Sequence, residues 1–220
     1  MPFTAQQFME LFAEYNTSVW PAQAGLILLA LLAVASLFIE FPKRDQLISG
    51  TLAFFWAWMA IAYHFVFFTR INNAAWLFGS VFILEALLLV WVGIIKQSLH
   101  FHSSNNLAAK LGLLLIAYAL VLYPALNLTL GHTYPTMPTF GLPCPVTIFT
   151  LGLLLNTTPL AAKLLLVIPL LWAVIGSSAA YLLGIVEDLG LMLAGLLCLY
   201  LFVTQSSSRD DIHRNPSKPE

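Results

Sequence analysis

Runs of about 20 apolar residues recur along most of the 220-residue chain, and short polar segments separate them. The hydrocarbon core of a bilayer is about 30 Å thick, and a helix needs about 20 apolar residues to cross it. We therefore expect seven spans, at about residues 20–39, 48–68, 74–95, 107–130, 146–155, 160–183 and 189–204. The predicted fold class is all-α, a polytopic transmembrane bundle of seven helices.

The composition agrees with a chain embedded in lipid. Charged residues make up 9% of the sequence, against roughly a quarter in soluble domains, and the mean hydropathy is +0.88. The formal net charge of -1 and the lack of a basic run argue against nucleic acid as a partner. We expect the lipid bilayer to be the main partner.

The distribution of lysine and arginine predicts the orientation of the spans. With the N-terminus outside, only Arg70 lies outside, and eight basic residues lie on the cytoplasmic side: Lys43, Arg44, Lys96, Lys110, Lys163, Arg209, Arg214 and Lys218. This split is favoured because cytoplasmic loops are rich in basic residues. If segment 146–155 were a re-entrant hairpin, the split would fall to five against four. We predict a multi-pass protein of the inner (cytoplasmic) membrane, with the C-terminus inside.

The two ends of the chain have different patterns. Residues 1–19 predict an interfacial amphipathic helix, because Thr4 and Gln7 match a capping box and apolar side chains recur at helical spacing, at Phe8, Leu11, Phe12 and Tyr15. Such a helix either lies in the outer headgroup layer or caps the bundle. Residues 20–204 form the seven-helix domain, and residues 205–220 form a polar cytoplasmic tail.

Glu85 is the ionisable residue predicted to lie deepest in the membrane, near the midpoint of the third span in "GSVFILEALLLVW". An ionised side chain at that depth costs about 2.5–3.5 kcal/mol on insertion scales. The carboxyl group must therefore be protonated, paired or in contact with a hydrated cavity. Two hypotheses remain: a proton or cation site, or a neutral acid that joins two helices by a hydrogen bond. In either case we expect Glu85 to face the bundle interior.

His64 is the second candidate within a span, about one turn inside the outer end of span two. An imidazole there can relay protons, bind a metal or form a structural hydrogen bond. Glu85 lies seven residues further from the outer end of span three than His64 lies from the outer end of span two. At 1.5 Å per residue this is a difference in depth of roughly 10 Å. We expect no direct contact between them, although a relay through water stays open.

The segment "GHTYPTMPTFGLPCPV", residues 131–146, forms a stiff outer loop with four prolines. It is either an outer gate or a rigid structural lid. Its candidate residues are His132, Tyr134, Pro143, Cys144 and Pro145. His132 and Cys144 together offer soft metal ligands, although this spacing is no recognised metal signature.

Two stretches, "EYN..VWPAQ" near the N-terminus and "HTYPTMPTFGLPCPVTIFTLGLLL" from His132 to Leu155, resemble a family of bacterial multi-pass membrane proteins. The family is known only as a domain of unknown function, and the proline-cysteine block is the most specific part of the likeness. The resemblance implies a bacterial inner-membrane protein and implies no activity.

Three functional hypotheses follow. In the first, the protein is a transporter or channel for a small solute or ion, with Glu85 as the coupling group and the proline-rich loop as the outer gate. In the second, it is a membrane enzyme or metal-binding protein whose outer-face site uses His64, His132, Cys144, Glu187 and Asp188. In the third, it is an accessory subunit that packs against a membrane-complex partner or a second copy. The sequence favours transport and identifies no cofactor.

Overall fold

The structure, a computed structural model, describes residues 2–157, 159–185 and 188–214. These residues are helical, with no strand in the described part of the chain. The helices are α1 (Ala5–Val19), α2 (Ala22–Ala35), α3 (Arg44–Trp58), α4 (Ala75–Leu89), α5 (Leu107–Ala117), α6 (Tyr123–Thr129), α7 (Pro143–Leu154), α8 (Pro159–Leu183) and α9 (Leu189–Arg214). Helix α9 therefore continues into the segment that the sequence predicts to be a polar tail.

Four helical stretches are long and apolar enough to cross a membrane: Arg44–Arg70, Ala75–Ile95, Leu107–Thr129 and Ala162–Leu183. Helices α1 and α2 give a fifth candidate if they count as one span, although they are bent by 84°. The described residues thus contain four or five candidate spans, where the sequence predicts seven. The difference comes from helix length: α2 has 14 residues and α7 has 12, about 21 Å and 18 Å against a core of about 30 Å. The apolar part of α9, Leu189–Val203, is likewise one of the shorter apolar helices.

Helix α1 has the predicted capping box and packs on the bundle. The Gln7 amide donates to Thr4 Oγ1 at 3.2 Å, and the Thr4 amide donates to Gln7 Oε1 at 2.8 Å. The predicted apolar face turns inward, with Leu11, Phe12 and Tyr15 buried. Helix α1 therefore caps one end of the bundle.

Three helices change to π-helical geometry along their length. Helix α3 continues as Met59–Phe65, α4 as Val90–Ile95, and α5 joins α6 through Tyr118–Leu122. Insertions of π-helix are rare and frequently occur at functional sites. The first of these three segments carries His64.

Helix α7 lies at the centre of the bundle, against α5, α8 and α9. Every residue of it except Cys144 is buried, as expected for a helix that is apolar on all sides. Its contact with α5 depends on two glycines: a Cβ on Gly112 would lie 2.5 Å from the Gly152 carbonyl oxygen. Small residues allow such close backbone approach between helices.

The bundle has two chemically different ends. At the basic end, Arg44 donates to the Phe101 carbonyl at 2.5 Å, and Asp45 lies 3.2 Å from the His100 ring. At the opposite end, which we call the loop end, Arg70 pairs with Glu14 of α1. Residues 131–142 lie at this second end.

Candidate functional site

Residues 131–142, which we call the lid, are held to α1 by Asn16. This side chain is fully buried and donates to the carbonyl oxygens of Pro135 at 2.6 Å and Met137 at 2.8 Å. Its Oδ1 accepts from Gln23 Nε2 and from Thr139 Oγ1, both at 2.7 Å. Every donor and acceptor of the Asn16 amide group is therefore used within the lid and its support.

Two tyrosines add to this network. The Tyr15 hydroxyl donates to the Gly141 carbonyl at 3.2 Å and accepts from Trp58 Nε1 at 2.8 Å, and the Tyr134 hydroxyl donates to the Asn16 carbonyl at 3.2 Å. Burial raises the pKa of Tyr15 well above its usual value, so its hydroxyl stays protonated. Gly141 has φ +110° and a Cβ there would lie 2.6 Å from Leu26 Cδ1, so this position requires glycine.

The "EYN..VWPAQ" and "HTYPTMPTFG" stretches of the sequence are thus two halves of one structural contact. Sequence reasoning missed the role of Asn16 and Gln23. The sequence does contain a feature that points to these two residues: their amide side chains lie on either side of the Trp-Pro step, immediately before a long apolar run. Their partners lie more than 100 residues away, at separations of 119 for Pro135 and 116 for Thr139, and no local pattern identifies them.

Pro143, Cys144 and Pro145 form the first turn of α7. The first amides of a helix have no intrahelical acceptor, so proline fits there without loss of a hydrogen bond. The two prolines are buried, and Cys144 is half-buried. The proline-cysteine block therefore starts the central helix and places a thiol at its loop end.

A cavity of about 370 Å³ lies at the loop end, among α1, the π-helical continuation of α3, α7 and α8. Cys144 and both flanking prolines line it, together with Asp188 and Tyr123. Asp188 is 4% exposed and accepts a hydrogen bond from the Tyr123 hydroxyl. The cavity thus combines apolar walls with a buried carboxyl group.

His64 lies behind the aromatic wall of this cavity. It is fully buried, with ring centroids 5.2 Å from Tyr63, 4.7 Å from Phe82 and 5.4 Å from Trp172. Tyr63 and Trp172 also line the cavity, whereas His64 is not among the lining residues. Neither ring nitrogen of His64 has a hydrogen-bond partner in the described part of the chain.

Glu85 faces the bundle interior, as predicted. It is fully buried on the side of α4 that also buries Phe82 and Leu89. Phe82 contacts His64 and precedes Glu85 by three residues, so Phe82 and Glu85 lie on the same face of α4. This face packs against α3 and its π-helical continuation, which carries His64. Within the described residues neither carboxyl oxygen of Glu85 is hydrogen-bonded.

The structure places Tyr134 and Cys144 in different cavities. Tyr134 lines a second cavity of about 390 Å³, beside Trp20 and Gln23, while Cys144 lines the first. The His132 amide donates to the Asn127 carbonyl at 2.9 Å, just after α6. Among the described residues no three His, Cys, Asp or Glu side chains are grouped to hold a metal ion. Glu187 lies outside the described residues.

The fold and site define an all-helical protein with several helices apolar enough to cross a membrane. Residues 5–213 match the profile of a family described as "Family of unknown function (DUF6064)". The chain therefore belongs to this family, and the match includes both halves of the lid contact. The chain matches no curated protein and no solved structure.

Proposed function

We propose that this DUF6064 protein is a multi-pass transporter of the bacterial inner membrane, which moves a small solute or ion in a cycle coupled to Glu85. Its chain crosses the bilayer seven times, with the N-terminus, the lid and the cavity on the outer side. The basic residues support this orientation, because cytoplasmic loops are rich in lysine and arginine. Arg44 lies at the basic end and contacts Phe101, in the segment between Lys96 and Lys110. Arg70 lies at the loop end.

Two of the seven crossings use the short helices α2 and α7. Short and proline-interrupted helices are common at the substrate sites of transporters. Helix α7 starts with Pro143 and Pro145 at the cavity and is enclosed by other helices, so irregular backbone at its loop end lies against protein. A central, short helix below an outer cavity fits a discontinuous transport helix.

One observation carries the proposal: His64 and Glu85 are fully buried inward of the cavity, and their four polar side-chain atoms have no hydrogen-bond partner among the described residues. A buried polar group without a partner costs about 1–3 kcal/mol, and more when it is charged. Ionisable groups retained at membrane depth mark ion pathways and proton relays. A proton, an ion or water during the transport cycle supplies the missing partners.

This observation also weighs against Glu85 as a neutral structural tie. A tie between helices requires an acceptor or donor on the neighbouring helix. Helices α3 and α8 both pack on α4, yet within the described chain they offer the Glu85 carboxyl no hydrogen bond. The transport role therefore accounts for Glu85 better than helix association does.

The test measures currents in reconstituted vesicles. Purified protein is adsorbed on a solid-supported membrane and exposed to a panel of organic cations, organic anions, neutral solutes and inorganic ions. We expect one class to evoke a current that Glu85→Gln reduces at least tenfold, because the amide keeps the shape but cannot ionise. Glu10→Gln, at an exposed position of α1, is the matched control and should keep the wild-type current. Equal currents in wild type and Glu85→Gln would contradict the coupling role, and no current with any solute favours an accessory subunit.

A second candidate is a metal-binding or enzymatic site at the outer face. It is favoured by the cavity that Cys144 and Asp188 share, since a thiolate and a carboxylate are both metal ligands. If the site binds a soft metal, Cys144→Ser should abolish stoichiometric metal while the protein stays folded. The metal content of the two purified proteins decides this, and an unchanged content would retire the metal hypothesis.

A further inference from the structure

The cavity opens sideways. Val174, Ser178 and Leu182 line it and are also exposed on the outer surface of α8, with Val174 and Leu182 each 67% exposed. These residues are spaced by four, so they lie on one face of the helix. All three belong to the candidate span Ala162–Leu183. From Val174 to Leu182 the opening extends about 12 Å along the helix, so its entrance faces lipid rather than water.

The walls of the cavity are mainly aromatic. Phe3 and Phe8 of the N-terminal segment stack at a centroid distance of 5.3 Å, and the Phe68 ring lies 5.5 Å from Phe3. Phe12, Tyr63 and Trp172 continue the wall. The faces of aromatic rings attract cations, and desolvation strengthens that attraction to about 2 kcal/mol or more.

The described lining of the cavity includes one acidic side chain, Asp188. The carboxyl group of Asp188 is nine-tenths buried and is fixed by the Tyr123 hydroxyl. The described lining residues include no lysine, arginine or histidine. A carboxyl group surrounded by aromatic rings is complementary to a positive charge on an apolar body.

We infer that the cavity binds a lipophilic organic cation, an ammonium group carried on an apolar chain, which enters from the outer leaflet between α1 and α8. The ammonium group lies against Asp188 and the aromatic rings, and the chain extends toward the opening at Val174. The volume of about 370 Å³ is in the range of small-ligand sites. This inference rests on the proposed function in that it names the substrate class, but binding can be measured without transport.

The test is photolabelling of the full-length protein in lipid nanodiscs. The probe is a dodecyltrimethylammonium with a diazirine next to its head group, and the matched probes are the carboxylate and the alcohol with the same chain. We expect the ammonium probe to label peptides of α1 and α8 at least tenfold more than the carboxylate does. Unlabelled dodecyltrimethylammonium should compete, whereas tetramethylammonium, which lacks the chain and reaches the protein from water, should not.

Separate variants test the role of the lateral opening and the role of the Asp188 carboxyl group. Val174→Trp narrows the opening and should reduce labelling at least tenfold, while Val167→Trp should leave it unchanged. Val167 is also lipid-exposed on α8, at 58%, but does not line the cavity. Asp188→Asn should remove the advantage of the ammonium probe over the alcohol. If Asp188→Asn does not fold, the Val174→Trp and Val167→Trp pair still tests the site.

The outcomes separate this inference from the transport proposal. Labelling that Val174→Trp does not change, or equal labelling by the ammonium and carboxylate probes, overturns the inference. If labelling fails while Glu85-dependent currents occur, the transport proposal stands with another substrate class. If labelling succeeds and the currents are absent, the cavity is a binding site for lipophilic cations in a protein that does not transport them.

Discussion

Asn16 and Glu85 are both fully buried polar residues, and their surroundings are opposite in kind. The Asn16 amide group donates two hydrogen bonds and accepts two, all to the lid and to Gln23. Neither Glu85 oxygen is hydrogen-bonded within the described part of the chain. A satisfied buried group holds a fold together, whereas an unsatisfied one lowers stability. The contrast agrees with our proposal, in which the loop-end network is structural and the buried Glu85 carries the function.

The largest expected effect is on stability, in Asn16→Ala. The change leaves the carbonyl oxygens of Pro135 and Met137 without their donors in a buried contact, which should lower the free energy of unfolding by about 3 kcal/mol. Thermal unfolding of the purified protein in detergent measures this. Asn73→Ala, at an exposed position, should change the free energy by less than about 0.5 kcal/mol. Equal stability of Asn16→Ala and wild type would show that the lid is not anchored through this residue.

The substitution Glu85→Leu should change the free energy of unfolding in the opposite direction to Asn16→Ala. Glu85→Leu replaces an unpaired buried carboxyl with an apolar side chain of similar volume, so we expect the free energy of unfolding to rise by about 1–2 kcal/mol. The same unfolding measurement applies, and the transport current should be lost. A loss of stability in Glu85→Leu would instead identify Glu85 as a structural tie and remove the contrast with Asn16.

These two residues also mark what the sequence could and could not predict. The inward position of Glu85 follows from the cost of exposing a carboxyl group to lipid, and the capping box of α1 follows from the spacing of Thr4 and Gln7. Both arguments are local. The partners of Asn16 lie more than 100 residues along the chain, and the Asp188–Tyr123 bond joins positions 65 apart, so neither could be derived from spacing.

The central position of α7 illustrates the same limit. Hydropathy places the long helices of α3, α4, α5 and α8 within a few residues of their observed positions. It does not predict that α7 lies at the centre of the bundle, because an apolar run does not distinguish a lipid-facing helix from a central one. Helix α7 is buried by its neighbours, and only the tertiary contacts reveal that.

The smallest expected effect is a slow, partial chemical modification of the Cys144 thiol, which lies next to the lid and lines the cavity. Cys144 is half-buried at the loop end, and Cys198, the second cysteine, is fully buried in α9. If the loop end faces outward, a membrane-impermeant thiol reagent added to intact cells should modify Cys144, more slowly than an exposed thiol. Cys144→Ser should remove the signal, because Cys198 has no exposed surface. Modification only in inverted vesicles, from the cytoplasmic side, would reverse the orientation. The cavity and the lid would then face the cytoplasm, and an entry route from the outer leaflet would be excluded.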